Sequence, residues 1–199
     1  MRIFLVVLFV LAGIGSATAA DLKLLTAGAY KPVALALIPE FEKRTGHKVT
    51  VENATAGALQ KRIAAGEYFD VVVMPPMVLG QFLGGRVVES SARPLAQVGI
   101  GVGIKRGAAV PDISSVDAFK KTLLAARAVA YIDPAAGGSS GVYLATLFEK
   151  LGIAQQIKAK SVLVPGGLVA ERVVDGQADI ALHQISEILA VPGAALVGP

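Results

Sequence analysis

The sequence predicts an α/β protein of two lobes, each a β-sheet flanked by helices. Apolar strand-like runs alternate with helix-period segments along the chain, which is the signature of wound α/β layers. DVVVMP is apolar throughout, as strands inside parallel sheets are. The Gly-interrupted stretch PLAQVGIGVGIKRGA splits the alternation into two halves and suits a crossing between lobes better than the centre of a rigid sheet.

The elements follow in order. MRIFLVVLFVLAGIGSATAA has a basic start at Arg2, an apolar stretch from Ile3 to Ile14 and small residues at Ala17 and Ala19, so residues 1–20 read as a secretory signal. The apolar stretch is shorter than the roughly 20 residues a spanning helix needs. An exported, soluble, periplasmic product is expected. Lobe 1, residues 21–97, has strands in LKLLTAG, KVTVENA and DVVVMP and helices in KPVALALIPEFEKRTG, ALQKRIAAGE and MVLGQFLGG. Val33, Leu37, Ile38 and Phe41 form the expected inward stripe of the first helix. Residues 98–108 are the expected hinge crossing.

Lobe 2, residues 109–190, has helices in SSVDAFKKTLLAA, GVYLATLFEKLG and LVAERVVDG, and strands in AVAYID, IKAKSVLV and ADIALHQ. The end, ILAVPGAALVGP, is apolar and strand-like. Residues 191–199 are therefore expected to start a return crossing to lobe 1, with a C-terminal portion missing.

Composition removes several classes of function. The net charge is +4 with the basic residues scattered, so no nucleic-acid partner is expected. Zero cysteines rule out disulfides and thiolate chemistry, and two histidines are too few for a zinc or manganese cluster. No metal and no cofactor are expected. A 54% hydrophobic content can build a large core without bridges.

The candidate site is GGSSG, Gly137 to Gly141, between a strand and a helix. It matches G-x-S-x-G, and Asp175, Asp179 and His183 follow in hydrolase order, so a secreted serine hydrolase is one reading. Against it, Asp133 to Ala136 separate the turn from the strand, and no His-Gly-Gly-Gly oxyanion segment is present. Plain helix capping by Ser139 or Ser140 is a second reading. The third is anion capture by free N–H groups at a helix start. The pattern recurs at Ala27-Gly28-Ala29 and Thr55-Ala56-Gly57, each at a helix start on the carboxyl end of a strand, and this favours capture. Such an anion is held by neutral donors, with no catalytic residue and no enzymatic activity expected. Asp70 and Asp179 read as loop residues entering strands, His47 as exposed, Glu42 as part of a solvated helix end, and Tyr30 as either lining the cleft or packing.

LLTAGAYKPVALALIPEFEKRTGHKVTVENATAGALQKRIAAGEYFDVVVMPP resembles the start of periplasmic solute-binding proteins of the molybdate-binding type. The likeness continues through DPAAGGSSGVYLATLFEKLG and GGLVAERVVDGQADIAL. It implies a type II periplasmic binding fold: a monomer that closes on a small anionic solute and delivers it to an ATP-binding-cassette permease. The implied ligand shell is Ala27, Gly28, Ala29, Thr55, Ala56, Gly57, Ser139, Ser140, Gly141, Leu168 and His183. The family's first-turn serine falls on Gly28 and its tyrosine on His183, so molybdate is one candidate among small oxyanions and carboxylates.

Overall fold

The structure, a computed structural model, describes residues 19–199. The expected signal segment therefore lies almost wholly outside the described residues. Two sheets organise the rest. The first has three parallel strands in the order β2-β1-β3: β1 is Asp21–Ala27, β2 Lys48–Ala54 and β3 Val71–Val73. Helix α1, Lys31–Thr45, crosses from β1 to β2, entered at Pro32 and ended by Gly46 at φ 77°. Helix α2, Ala56–Ala64, crosses from β2 to β3; its cap is Thr55, whose Oγ1 accepts from the Ala58 N–H at 3.2 Å. Short α3, Pro76–Leu79, follows β3. Leu25, Leu59, Ile63 and Phe82 form the core under this sheet.

The second sheet has the order β6-β5-β7-β4-β8. Strands β5 (Val129–Ile132), β6 (Ser161–Val164) and β7 (Ile180–Gln184) are parallel, while β4 (Ile100–Lys105) runs antiparallel to β7 and to β8 (Ala194–Gly198). Helices α4 (Val116–Ala125), α5 (Ser139–Lys150), α6 (Ala154–Lys158), α7 (Glu171–Val174) and α8 (Ile185–Leu189) cover it. Strand β5 is buried along its whole length. Val129 and Tyr131 pack with Leu144, Phe148 and Ile157, while Ala130 and Ile132 pack on the other face with Val164, Val169 and Val173.

Four expectations change. Residues 98–108 hold β4, which lies inside the second sheet between β7 and β8. The glycines serve close packing: a Cβ on Gly101 would meet Leu196 and Ile185 within 2.9 Å, and one on Gly103 would meet Ile188 at 3.0 Å. Residues 191–199 are built into the second sheet as β8, antiparallel to β4, and the strand runs back to the cleft, where Pro199 lines it. Ile157 and Lys158 of IKAKSVLV end helix α6 and the next two residues turn, so the strand is limited to Ser161–Val164. Strand β3 is an edge strand among the described residues, with Val71 half-exposed.

The stripe of α1 also differs. Val33, Leu37 and Phe41 are exposed, and Ala34 is the buried residue. The inward row is Ala34, Ile38 and Glu42, four residues apart, and Glu42 accepts from the Val49 N–H at 2.9 Å and from Lys48 Nζ at 3.2 Å. Glu42 is thus an anchor to β2. Asp70 and Asp179 act alike in the two lobes: Asp70 accepts from the Lys23 N–H of β1 and Asp179 from the Arg127 N–H just before β5, each pairing a main-chain amide. His47 is half-buried and accepts from the Ala20 N–H.

An ion network ties α2 to the first sheet. Lys23 Nζ lies 2.9 Å from Glu52 and 2.9 Å from Glu67, and Arg62 bonds both carboxylates. The Arg62 bond, then that of Lys23, holds the Glu67 carboxyl down at about 2. A carboxyl lowered on folding stabilises above its unfolded value and loses that contribution as pH falls toward its folded value. Glu67→Gln should therefore destabilise the protein at neutral pH. In urea melts, the gap from wild type should narrow from about pH 4.5 down to about pH 2.

The two lobes touch through backbone. The Gly57 N–H donates to Gly137 O at 3.0 Å, Thr55 Oγ1 donates to Ala136 O at 2.7 Å, and Ser186 Oγ donates to Ala29 O at 2.7 Å. A Cβ on Gly57 would sit 2.9 Å from the Gly137 Cα, so the approach depends on hydrogen at that position. Alanine suits a helix better than glycine by up to ~1 kcal/mol, so Gly57→Ala should keep α2 intact while separating the lobes. Small-angle scattering should show an increased radius of gyration with an unchanged circular dichroism spectrum.

Candidate functional site

A cleft of ≈ 1200 Å³ lies between the lobes, lined by the carboxyl ends of β1, β2, β3, β5 and β7. That is where open α/β sheets place ligands. The cleft brings together Ala27, Gly28, Ala29, Thr55, Ala56, Ser139, Ser140 and His183 from the expected shell, and Tyr30 lines it as well. Gly57, Gly141 and Leu168 lie elsewhere. The Gly57 amide is committed to Gly137 O. Gly141 presses on the Ile132 carbonyl, which a Cβ would strike. Leu168 packs against the apolar cluster around Val169 and Val173.

The hydroxyl of Thr55 is also engaged, donating to Ala136 O while accepting from Ala58 N–H. The tip of α2 therefore works as a contact between lobes. Helix α5 is different: its N-cap is Gly138, and none of the described side chains caps its first turn. The positive end of its dipole meets the cleft beside Ser139 and Ser140.

One wall of the cleft carries an unusual set of polar groups. Ser140, His183 and Gln184 are buried, and Ser140 Oγ, His183 Nδ1 and Gln184 Oε1 have no hydrogen-bond partner among the described residues. Gln184 Nε2 donates to Ser139 Oγ at 3.0 Å. Unpaired buried polar atoms are rare because each costs about 1–3 kcal/mol, and three together mark a place prepared for a partner.

Two site residues escape the sequence reading, Gln184 and, of more consequence, Glu187. It sits on α8 with 6% of its surface exposed, and its Oε2 lies 3.4 Å from His183 Nε2. Its carboxyl reaches across to β1's end, where a Cβ on Gly28 would collide with Oε1. Burial pushes the Glu187 carboxyl up to about 7, against the pull of the Lys31 ammonium. Burial also holds the His183 imidazole down at about 4. At neutral pH the imidazole is uncharged and the carboxyl exchanges readily between its acid and its anion. The local signal was His183-x-x-x-Glu187, which puts both side chains on one face only if a helical turn follows the strand.

The hydrolase array does not form. Ser139 Oγ is bonded by Gln184, His183 faces Glu187, and Asp179 is held by Arg127 at the far end of β7. Asp175 lies at the end of α7, away from all three.

Known proteins place the chain in a family. A family model described as bacterial extracellular solute-binding protein matches residues 22–199. An aconitate isomerase from a Pseudomonas species is 36% identical over 184 residues, covering 89% of this chain and 69% of that protein. The periplasmic molybdate-binding protein of Azotobacter vinelandii superposes with a TM-score of 0.71 at 19% identity, over 89% of this chain and 77% of that one. The sulfate-binding protein SubI of Mycobacterium tuberculosis superposes with a TM-score of 0.67 at 19% identity, over 90% and 71%. The two-lobed fold expected from the sequence is the fold of these neighbours. The expectation of no enzymatic activity is overturned by the isomerase relative, whose likeness spans most of the chain. With its family match running from Leu22 to the last residue, the chain belongs to the bacterial extracellular solute-binding proteins.

Proposed function

We propose that the protein is exported to the periplasm, captures a small unsaturated polycarboxylate of the aconitate type between its lobes, and isomerises it. The observation that carries this reading is the wall of buried, unpaired neutral groups, Ser140, His183 and Gln184, beside the uncapped start of α5. The Ser140 hydroxyl and the open N–H groups at the start of α5 are donors that can hold a carboxylate without a buried counter-charge, which suits an anion that must be both bound and released, while Gln184 Oε1 can only accept, from a substrate O–H. The cleft volume of ≈ 1200 Å³ is larger than the roughly 300–1,000 Å³ of ordinary small-molecule sites and leaves room for an organic anion rather than only a compact inorganic one. The isomerase relative supplies the reaction class.

The test is direct. The purified mature chain is incubated with cis- and trans-aconitate and followed by proton NMR, with molybdate and sulfate as comparison ligands in thermal melts. Interconversion of the two isomers is expected. A ligand at about 100 times its Kd should add about 2.7 kcal/mol, raising Tm by roughly 5–10 °C. Binding without interconversion would make the site one of capture alone, of the kind that hands solute to an ATP-binding-cassette permease. Neither binding nor turnover would overturn the reading.

Ser140→Ala separates ligand binding from folding. It removes a buried hydroxyl that has no partner among the described residues, so stability should hold or rise. Affinity for the carboxylate should fall about tenfold, measured by calorimetry.

A further inference from the structure

We propose that Glu187 is the catalytic residue that carries the proton in this isomerisation, and that Gly28 is the positioning residue that makes room for it; the assignment rests on the isomerase reading above. Three geometric facts support it. The Glu187 carboxyl lines the cleft, comes from one lobe, and occupies the space above the Gly28 Cα of the other. Its partner on the same wall, His183, presents Nε2 at 3.4 Å and is itself 2% exposed. The unpaired Ser140 hydroxyl and the open first turn of α5 share that cleft, where they can face charge that develops on a substrate carboxylate.

The step balances without any co-reactant. The Glu187 carboxylate takes a proton from the saturated carbon between a carboxylate and the C=C bond. That C–H bond breaks, and its electron pair spreads through the allyl unit into the carboxylate as an enolate. The carboxylic acid of Glu187 then returns the proton to the far carbon of the allyl unit, the double bond has moved one place, and Glu187 is again a carboxylate. Nothing is oxidised or reduced. The charged and titratable groups facing Glu187 are His183 on β7, neutral through burial, and Lys31 on α1, whose ammonium favours the carboxylate.

The catalytic form is the anion, so kcat/KM should rise with pH to a plateau above about pH 7, following the raised carboxyl. The bound substrate adds negative charge, so the midpoint of kcat should lie higher than that of kcat/KM. Glu187→Gln should lower kcat by about 100-fold or more and leave the calorimetric Kd within a few-fold. Gly28→Ala keeps every ionisable group but displaces the flexible carboxyl, and should also lower kcat. Glu187→Asp should recover part of the rate when Gly28 is intact.

A readout independent of turnover checks the buried carboxyl. A carboxyl raised on folding costs stability as pH climbs from its unfolded value to its folded one. Glu187→Gln should therefore melt higher than wild type above about pH 7, by several degrees, and with no advantage below about pH 4.5. Glu187→Gln turning over at the wild-type rate would overturn the assignment and leave the isomerase reading standing. A wild-type protein that binds aconitate and never interconverts it would remove both.

Discussion

A carboxyl group from one lobe fills the space that the other lobe leaves by having only hydrogen on Gly28. That contact ties the chemistry of the cleft to the arrangement of the lobes. One residue before Glu187, the Ser186 hydroxyl donates to Ala29 O, so the same short helix that carries the carboxyl also fastens it against the first sheet. Separating the lobes would take the Gly28 turn away from the carboxyl and open it further to water, drawing its titration toward the ordinary value. The raised value therefore depends in part on the Gly28 turn resting against the carboxyl, so lobe separation and protonation are linked. The bonds from Gly57 and Thr55 to residues 136 and 137 stabilise the same state from the opposite side of the cleft.

Helix starts that look alike in sequence do different work in this arrangement. The tip of α2 gives its amide and its capping hydroxyl to a carbonyl loop of the other lobe, whereas α5 keeps its first turn open toward the cleft. The difference follows from which side meets a backbone carbonyl when the lobes approach. Peptide N–H groups are obligatory donors, and the nearest acceptor takes them. What remains for an anion is concentrated on the α5 and β7 wall, opposite the glycine turn of β1. The asymmetry suits an anion with several carboxylates, since one can be gripped at the open helix start while another part of the molecule lies against Glu187.

Most of the fold was legible because its signals are local. Fully buried β5 reads as an unbroken apolar run, Thr55 and Ser115 stand where caps belong, and Gly46 and Gly152 end their helices at positive φ. The misread elements depend on distant partners. Gly101 and Gly103 look like a weak, hinge-like strand until Ile185, Ile188 and Leu196 are seen pressing on them. The stripe at Val33, Leu37 and Phe41 has ideal helical spacing, yet the neighbouring stripe ending in Glu42 faces the sheet, because Glu42 reaches the start of β2. Glu187 was invisible for both reasons. Its five-residue helix is too short to show a period, and the glycine it occupies lies in the other lobe.

The fold shared with molybdate- and sulfate-binding proteins does not by itself decide between holding an anion and transforming one, because function resides in the site that the fold presents. Neutral donors that grip a carboxylate in the ground state grip it more strongly once it takes on enolate charge, so a capture site already favours the transition state of a proton shift. What such a site lacks is a group that can accept a proton near neutral pH and give it back. A surface carboxylate is too weak a base, and an exposed lysine holds its proton too firmly. Burying one carboxyl against an uncharged histidine and a bare glycine meets that need with a single residue. On the proposed reading, Glu187 and the space that Gly28 leaves for it are what would let a capture site of this kind move a proton.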